Sequence, residues 1–505
     1  MGAGPALTSA NLVPSYSHLI DRSRPWWKNK RLVLLNFWIL VLLITSTTNG
    51  FDGSMMNGLQ SQSQWESAFN HPSGGQLGLL NAIQNIGSLC GLPFAPYMTD
   101  NLGRRFSVFF GAWVMIAATV VQTASQSVQM FIGARFMIGF GLTFATSAAP
   151  LLITEVAYPS QRAVLTSVYN SLWLFGSIIA AWVTYGTFQV PNSWAWRIPS
   201  AIQGLPSVIQ VCLIWFVPES PRWLISKGRH AEALKTLAYY HASGNQEDPL
   251  VEYEFREITE AINLDREVAA KVGWLTLFQT PGNRRRLRII IALAFFSQWS
   301  GNGLISYYLN KVFDAIGITD DNTQLLVNGG MSIWSFICGI TGGLLCDKAG
   351  RRTLFLTSMS GMIVFWMLQT VLFAVDVQTN NLLAGHALIA MMFLFNTFCF
   401  VLFNFVVSLT IVFNQYVNPI ALAALGWKYY LVYLFWLCFE ICFLYRYLVE
   451  TKNRTLEETA ALFDGDDTVA AIAMSTAVSA GIVPGPPSVS EKKEVVEEQI
   501  EQVSA

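Results

Sequence analysis

Two opposite charges stand where charges are costly. Asp52 comes at the end of the apolar run LVLLNFWILVLLITSTTNGFDGSMMNG, and Arg135 lies inside another, MFIGARFMIGFGLTFATSAAP. A carboxylate near membrane depth costs about 2.5–3.5 kcal/mol even on lenient insertion scales. It persists where it pairs with a cation, lines a watery cavity or carries a proton. An acid and an arginine in two apolar segments fit a proton-handling couple inside a helical bundle. Ionised, the two attract; when water or solute reaches the acid, it takes a proton and releases the arginine. A fixed buried ion pair needed only for packing is the plainer alternative. No nucleophile–base spacing, phosphate-binding glycine loop or metal-ligand cluster accompanies them, and the five His are scattered. No enzyme activity, metal or cofactor is expected.

The elements that must hold these charges are membrane spans. The chain of 505 residues is 53% hydrophobic and only 12% charged, about half the charge of a soluble domain. A net charge of −1 gives no hint of nucleic acid as a partner. Spans need roughly 20 apolar residues each. The pattern predicts them near 33–54, 76–97, 106–125, 130–152, 165–187 and 197–217, then near 287–309, 325–346, 353–375, 386–417 and 425–447. Cys90, Cys212, Cys338, Cys346, Cys399, Cys438 and Cys442 fall in or beside these runs and read as buried free thiols. No cleaved signal peptide is expected, and the first span would serve as the insertion signal.

Lys and Arg set the expected topology. They cluster before span 1 (Arg22, Arg24, Lys28, Lys30, Arg31), after spans 2, 4 and 8, in the central loop and after the last span, and are absent after spans 1, 3 and 5. Both termini and the central loop should therefore be cytosolic. The expected domains are 1–32, a cytosolic N-terminal segment; 33–217, the first six-helix half; and 218–286, a cytosolic linker with short helices. Then come 287–449, the second half, and 450–505, a cytosolic and partly disordered tail. The chain also repeats itself. Asp100-Asn-Leu-Gly103-Arg104-Arg105 recurs as Asp347-Lys-Ala-Gly350-Arg351-Arg352, each copy after the second span of its half. Pro218-Glu219-Ser220-Pro221-Arg222 has a looser echo in Glu450-Thr451-Lys452. Two six-helix halves related by a parallel repeat are a transporter architecture.

These segments resemble the sugar porter family of the major facilitator superfamily over about residues 30–460. The resemblance rests on GFDG (50–53), DNLGRR (100–105), GARFMIGFG (133–141) and PLLITE (150–155) with Arg162. It continues in PESPRWLISKGR (218–229), QWSGNGLISYY (298–308), DKAGRR (347–352) and ETKNRTLEE (450–458). SVYNSLWLFG (167–176) and FNQYVNPIALAALGWKYY (413–430) look closest to fungal disaccharide permeases of the lactose or cellodextrin type. The resemblance implies an all-α membrane protein with the major facilitator fold, moving a sugar by alternating access. It implies proton coupling through Asp52 and Arg135, since passive members generally lack the acid. The implied partners are a small sugar, a proton and the lipid bilayer, in a monomer of the plasma membrane. Facilitative uniport, a non-transporting sugar sensor and an inactive truncated isoform are the alternatives.

The resemblance also implies sites. Gln298, Asn170, Asn302 and Tyr307 are candidate sugar contacts, although a lone Gln or Asn in an apolar helix more often bonds a neighbouring helix. Trp173 and Trp299 could stack on a sugar ring, with packing the plainer role. Asp100, Gly103, Arg104, Arg105, Glu155, Arg162, Glu219 and Arg222 form a candidate cytosolic gate, with Asp347, Gly350, Arg351, Arg352 and Glu450 in the second half. Arg104, Arg105, Arg351 and Arg352 would clamp Glu155, Glu219 and Glu450 by bidentate pairing; positive-inside anchoring is the simpler reading. Glu440 lies in the last apolar run without an assigned role, and the sequon at Asn453 should face the wrong side for use.

One departure is marked. Val377 to Trp427 contains no Asp, Glu, Lys or Arg, and the repeat partners of Glu155 and Arg162 fall on Leu402 and Leu409. The apolar stretch from His386 to Val417 is too long for one span and too short for two. A deletion near 400–404, removing the end of span 10 and the start of span 11, would leave about 11 full spans instead of 12.

Overall fold

The computed structural model describes residues 26–271, 284, 288, 292, 301–315, 317–349, 351–379, 382–402 and 428–447. No strand occurs among them. Residues 1–272 and 292–448 form one compact unit; of the second, 273–291 with 449–505, only Arg284 and Arg288 are described.

The first half begins with α1, Lys30–Leu59, capped by the Asn29 side chain, which accepts the Arg31 N–H at 3.1 Å. It runs past the expected 33–54, so Asp52 sits two turns inside the helix. After a short α2, Ser63–Ala68, span 2 is not one rod. It divides at Pro93 into α3, Gly74–Gly91, and α4, Ala95–Leu102, because proline cannot donate to the helix ladder. Spans 3 to 5 are α5, Arg104–Thr123, α6, Val128–Val156, and α7, Arg162–Thr187. Span 6 divides near Gly204 and Pro206 into α8, Trp194–Ile202, and α9, Leu205–Leu213. Three short helices of the linker follow: α10, Pro221–Ser226, α11, His230–His241, and α12, Pro249–Lys271.

The second half is described in parts. Its helices are α13, Asn302–Ala315, which is kinked at Tyr308, α14, Asp321–Ala349, and α15, Arg351–Thr379. They are followed by α16, Leu382–Leu402, and α17, Lys428–Tyr447. Among the described residues, six stretches, including Lys30–Leu59, Val128–Val156 and Leu356–Asp376, are long and apolar enough to cross a membrane. Gln298 lies outside the described residues, as do Phe403 and Asn404 of the expected deletion near 400–404.

Each half has its own apolar core. Leu35, Ile39 and Leu42 of α1 pack with Leu152 and Ile153 of α6 in the first. In the second, Trp366 of α15 stacks on Tyr430 of α17 at 4.8 Å and donates its indole N–H to the Tyr430 carbonyl at 2.9 Å. The cysteines depart from expectation. Cys338 is buried, but Cys90, Cys212, Cys438 and Cys442 are free and exposed. An apolar thiol on a span loses nothing by facing lipid.

Glycine sets the closest helix approach. A methyl group on Gly50 would stand 1.8 Å from the Trp173 carbonyl, and one on Gly176 would stand 2.0 Å from the Thr47 carbonyl. The α1–α7 contact is thus backbone against backbone, as small residues permit in membranes. Gly176→Ala should lower the melting temperature of the purified protein, since overpacking costs about 1–3 kcal/mol. Gly133→Ala and Gly186→Ala, where a methyl meets nothing within 4 Å, should melt close to the parent.

Candidate substrate pathway and its gates

Asp52 is fully buried on α1, and neither carboxylate oxygen has a hydrogen-bond partner among the described residues. Arg135 of α6 is 2% exposed. Its Nε donates to the Leu80 carbonyl at 3.0 Å and its Nη2 to Gln84 Oε1 at 2.8 Å, both on α3. The expected direct pair is therefore looser than the sequence suggests. The guanidinium is tethered to α3, and its charge still acts on the Asp52 carboxyl. Gln203, at the break between α8 and α9, faces the same carboxyl without completing a hydrogen bond. Its Oε1 accepts from Gln122 Nε2 of α5 at 3.1 Å. Gln84, Gln122 and Gln203 were not singled out in the sequence. Their only signal was a polar amide on an otherwise apolar helix.

One turn further along α1, the two halves enclose a small polar cavity of about 50 Å³. Ser54, Asn57, Ser177, Asn328, Ser332 and Asn396 line it, with Trp173 along one wall. Asn57 Nδ2 donates to Asn328 Oδ1 at 2.9 Å, which joins α1 to α14. Ser177 and Ser332 meet at 3.4 Å. Among the described residues, no charged side chain lines the cavity. At this volume it holds about one or two waters and excludes a sugar ring, so the halves are closed upon it. Of the expected sugar contacts, Trp173 lines the wall. Asn170 is exposed one turn earlier on α7. Asn302 and Tyr307 lie on α13, whose Ile305 and Ser306 reach the cavity, but their own side chains are not described. Asn57, Asn328 and Asn396 were missed, because only the fold brings α1, α14 and α16 together.

The residues expected to form a first-half gate lie together at the end of the bundle nearest α10–α12. Arg104 grips Glu155 with two hydrogen bonds, Nε to Oε2 at 3.0 Å and Nη2 to Oε1 at 3.2 Å, and reaches Asp100 at 3.4 Å. Gly103 turns the chain at φ 104°, a conformation that costs other residues strain. A Cβ there would also meet Glu219 Oε2 at 2.7 Å. Arg105 does not clamp a carboxylate with its side chain. Its backbone N–H donates to Glu219 at 3.3 Å, while its guanidinium donates to the Trp215 carbonyl at 2.8 Å. Burial pushes the Glu219 carboxyl above the ordinary range, against the pull of the Ser220 and Arg105 N–H groups. Arg162 meets Glu254 of α12 at 2.8 Å, an acid not singled out in the sequence. Arg222 is half-buried on α10. Asp347, Arg351 and Arg352 lie on α14 and α15 with side chains outside the described residues, and Gly350 and Glu450 lie wholly outside.

At the other end of the bundle the halves touch directly. Asn310 donates to the Gln60 carbonyl at 2.9 Å, and Lys311 pairs with Glu66 of α2 at 3.1 Å.

Two helical bundles closed around an uncharged polar cavity, beside a buried acid, define a membrane transporter of the major facilitator type. The sugar (and other) transporter family profile matches residues 38–413. An MFS-type transporter of Aspergillus oryzae, oryC, is 30% identical over 372 residues, 72% of this chain and 68% of that one. A high-affinity glucose transporter of Kluyveromyces lactis is 26% identical over 328 residues, 65% of this chain and 59% of its own length. The solved proton:xylose symporter XylE, bound to 6-bromo-6-deoxy-D-glucose, superposes with a TM-score of 0.64 at 22% identity, covering 85% of this chain and 99% of that one. The chain belongs to the sugar porter family, whose relatives here are transporters and not enzymes.

Glu155→Gln leaves the Arg104 guanidinium buried without its counter-charge. Breaking one side of a buried pair costs about 3–5 kcal/mol. The variant should melt well below the parent, and the doubly neutral Arg104→Met with Glu155→Gln should recover part of the loss in the same scan.

Proposed function

We propose that the chain is a proton-coupled importer of a neutral sugar, a hexose or a disaccharide, working by alternating access. The observation that carries this reading is Asp52, an acid buried without a hydrogen-bond partner among the described residues, one residue before the cavity lining begins at Gly53. Such a carboxyl is stable when it carries a proton or senses the nearby Arg135. The cavity supports the substrate class. Its described lining offers hydroxyl and amide groups to a polyol. XylE is described as a proton:xylose symporter and the Kluyveromyces relative as a glucose transporter, which agrees with this reading. The motifs at 167–176 and 413–430 favour a disaccharide.

In this proposal the protein is a plasma-membrane monomer with both termini and α10–α12 in the cytosol. Residues 33–217 and 287–449 are the rocking halves, 218–286 the linker, and 1–32 and 450–505 the flanking segments. Arg104 with Glu155, and the Gly103–Glu219 turn, close the cytosolic side; Asn310–Gln60 and Lys311–Glu66 close the outer side. Sugar enters as the outer contacts part, and proton loss from Asp52 on the inner side resets the bundle. Gln298, Asn302 and Tyr307 would complete the sugar site from the second half. Facilitative uniport is the rival, and the buried acid counts against it.

Labelled-sugar uptake against a hexose and disaccharide panel tests the reading. Asp52→Asn should abolish accumulation against a gradient and sugar-induced alkalinisation of the medium, while exchange of label between equal pools persists. Undiminished accumulation by this variant would falsify the coupling. A loop of family length inserted between Phe400 and Asn404 should raise uptake severalfold over the present chain; equal uptake by both versions would remove the deletion from the account.

A further inference from the structure

The cytosolic helices are held to the membrane spans by a buried imidazole that the transport cycle does not use. His241 is the last residue of α11, and its side chain is 2% exposed. Its Nδ1 stands 2.6 Å from Glu254 Oε2 on α12, and its Nε2 stands 3.1 Å from the Val156 carbonyl at the end of α6. A carbonyl oxygen only accepts, so Nε2 carries a hydrogen. The Nδ1 contact then needs a hydrogen of its own, on the ring or on the carboxyl. The other oxygen of Glu254 accepts from Arg162 Nη2 at 2.8 Å, and Arg162 Nε donates to the Ala157 carbonyl at 3.1 Å. One shared proton thus helps tie α11 and α12 to the end of α6 and the start of α7. Without it, a nitrogen lone pair would face a carboxylate oxygen at the same distance. Little solvent is there to weaken the repulsion.

The surroundings leave this proton exchangeable. His241 lines a cavity of about 1040 Å³ with Lys28, Lys30 and Asp248, which gives water a route to the ring. The charged groups around the ring are Lys28, Lys30 and Asp248 in this cavity, and Glu254 with its partner Arg162. Tyr158 packs edge-on against the imidazole at 5.4 Å. Arg31 of α1 is engaged elsewhere, over the Tyr239 ring at 4.5 Å, and Tyr240 packs on Tyr239.

We propose that His241, Glu254 and Arg162 form a proton-held latch that docks α11 and α12 on the ends of α6 and α7 and lets go as the pH on that side rises. On the orientation proposed above, that side is the cytosol. The latch then tightens as protons accumulate there and loosens as they are cleared. It acts without Asp52 and would operate in a uniporter as well as in a symporter, so its test needs no uptake measurement.

The full chain, with native cysteines replaced, is spin-labelled at Val164 of α7 and Glu257 of α12, both exposed, in lipid nanodiscs. The interspin distance is read across about pH 5 to 8, where imidazoles titrate. The parent should show a distance that lengthens as pH rises. His241→Gln should give one distance at every pH. Glu254→Gln, whose amide donates to an unprotonated Nδ1 and still accepts from Arg162, should stay docked at the alkaline end. A parent distance that ignores pH, a His241→Gln protein that keeps the shift, or a Glu254→Gln protein that undocks like the parent would each overturn the latch.

Discussion

The fold is organised around a carboxylate with nowhere to bond. Asp52 sits deep in α1 without a hydrogen-bond partner among the described residues, and the nearest cation is tethered to another helix. A direct ion pair would have locked α1 to α6. Anchoring Arg135 on α3 leaves the attraction long-range and therefore adjustable. Small movements of α1 relative to α3 and α6 alter the charge balance without first breaking a short bond. Gln203 and Gln122 extend this polar patch to the helix break in span 6, where backbone irregularity is tolerated because it is buried in protein.

Rigidity and mobility are divided by the kind of contact used. Within the first half, α1 and α7 meet backbone to backbone through Gly50 and Gly176, which leaves no room for sliding. Between the halves the described contacts are mixed: Asn57 bonds Asn328, Asn310 bonds the Gln60 carbonyl and Lys311 pairs with Glu66, while Phe175 of α7 lies 6.2 Å from Phe336 of α14 and Tyr308 of α13 joins the apolar cluster of Phe51 and Met55. Polar contacts between bundles exchange for water at modest cost, whereas a close-packed apolar core does not. The 50 Å³ cavity lies beside the Asn57–Asn328 contact.

The end of the bundle nearest α10–α12 adds a third layer. Arg104–Glu155 is bidentate and largely buried, so it holds its geometry. Arg162, Glu254 and His241 join α11 and α12 to the same end. Both arise from neighbouring residues, Glu155 and Arg162 lying seven positions apart across the α6–α7 turn.

The sequence by itself determined the membrane class, the first-half spans and the repeated Asp-x-x-Gly-Arg-Arg motif. Those features are local. Hydrophobic runs must span, and Gly103 must turn. The motif Asp100-x-x-Gly-Arg-Arg could be read because its parts act within a few residues of one another. Only the tertiary structure decided who partners whom. It moved Arg135 to α3, gave Arg162 to Glu254, placed His241 between them and assembled the cavity from Asn57, Asn328 and Asn396. A lone amide or imidazole on a helix carries no mark of its destination. Its partner is chosen by which face of which helix packs against it, and that is a property of the whole bundle.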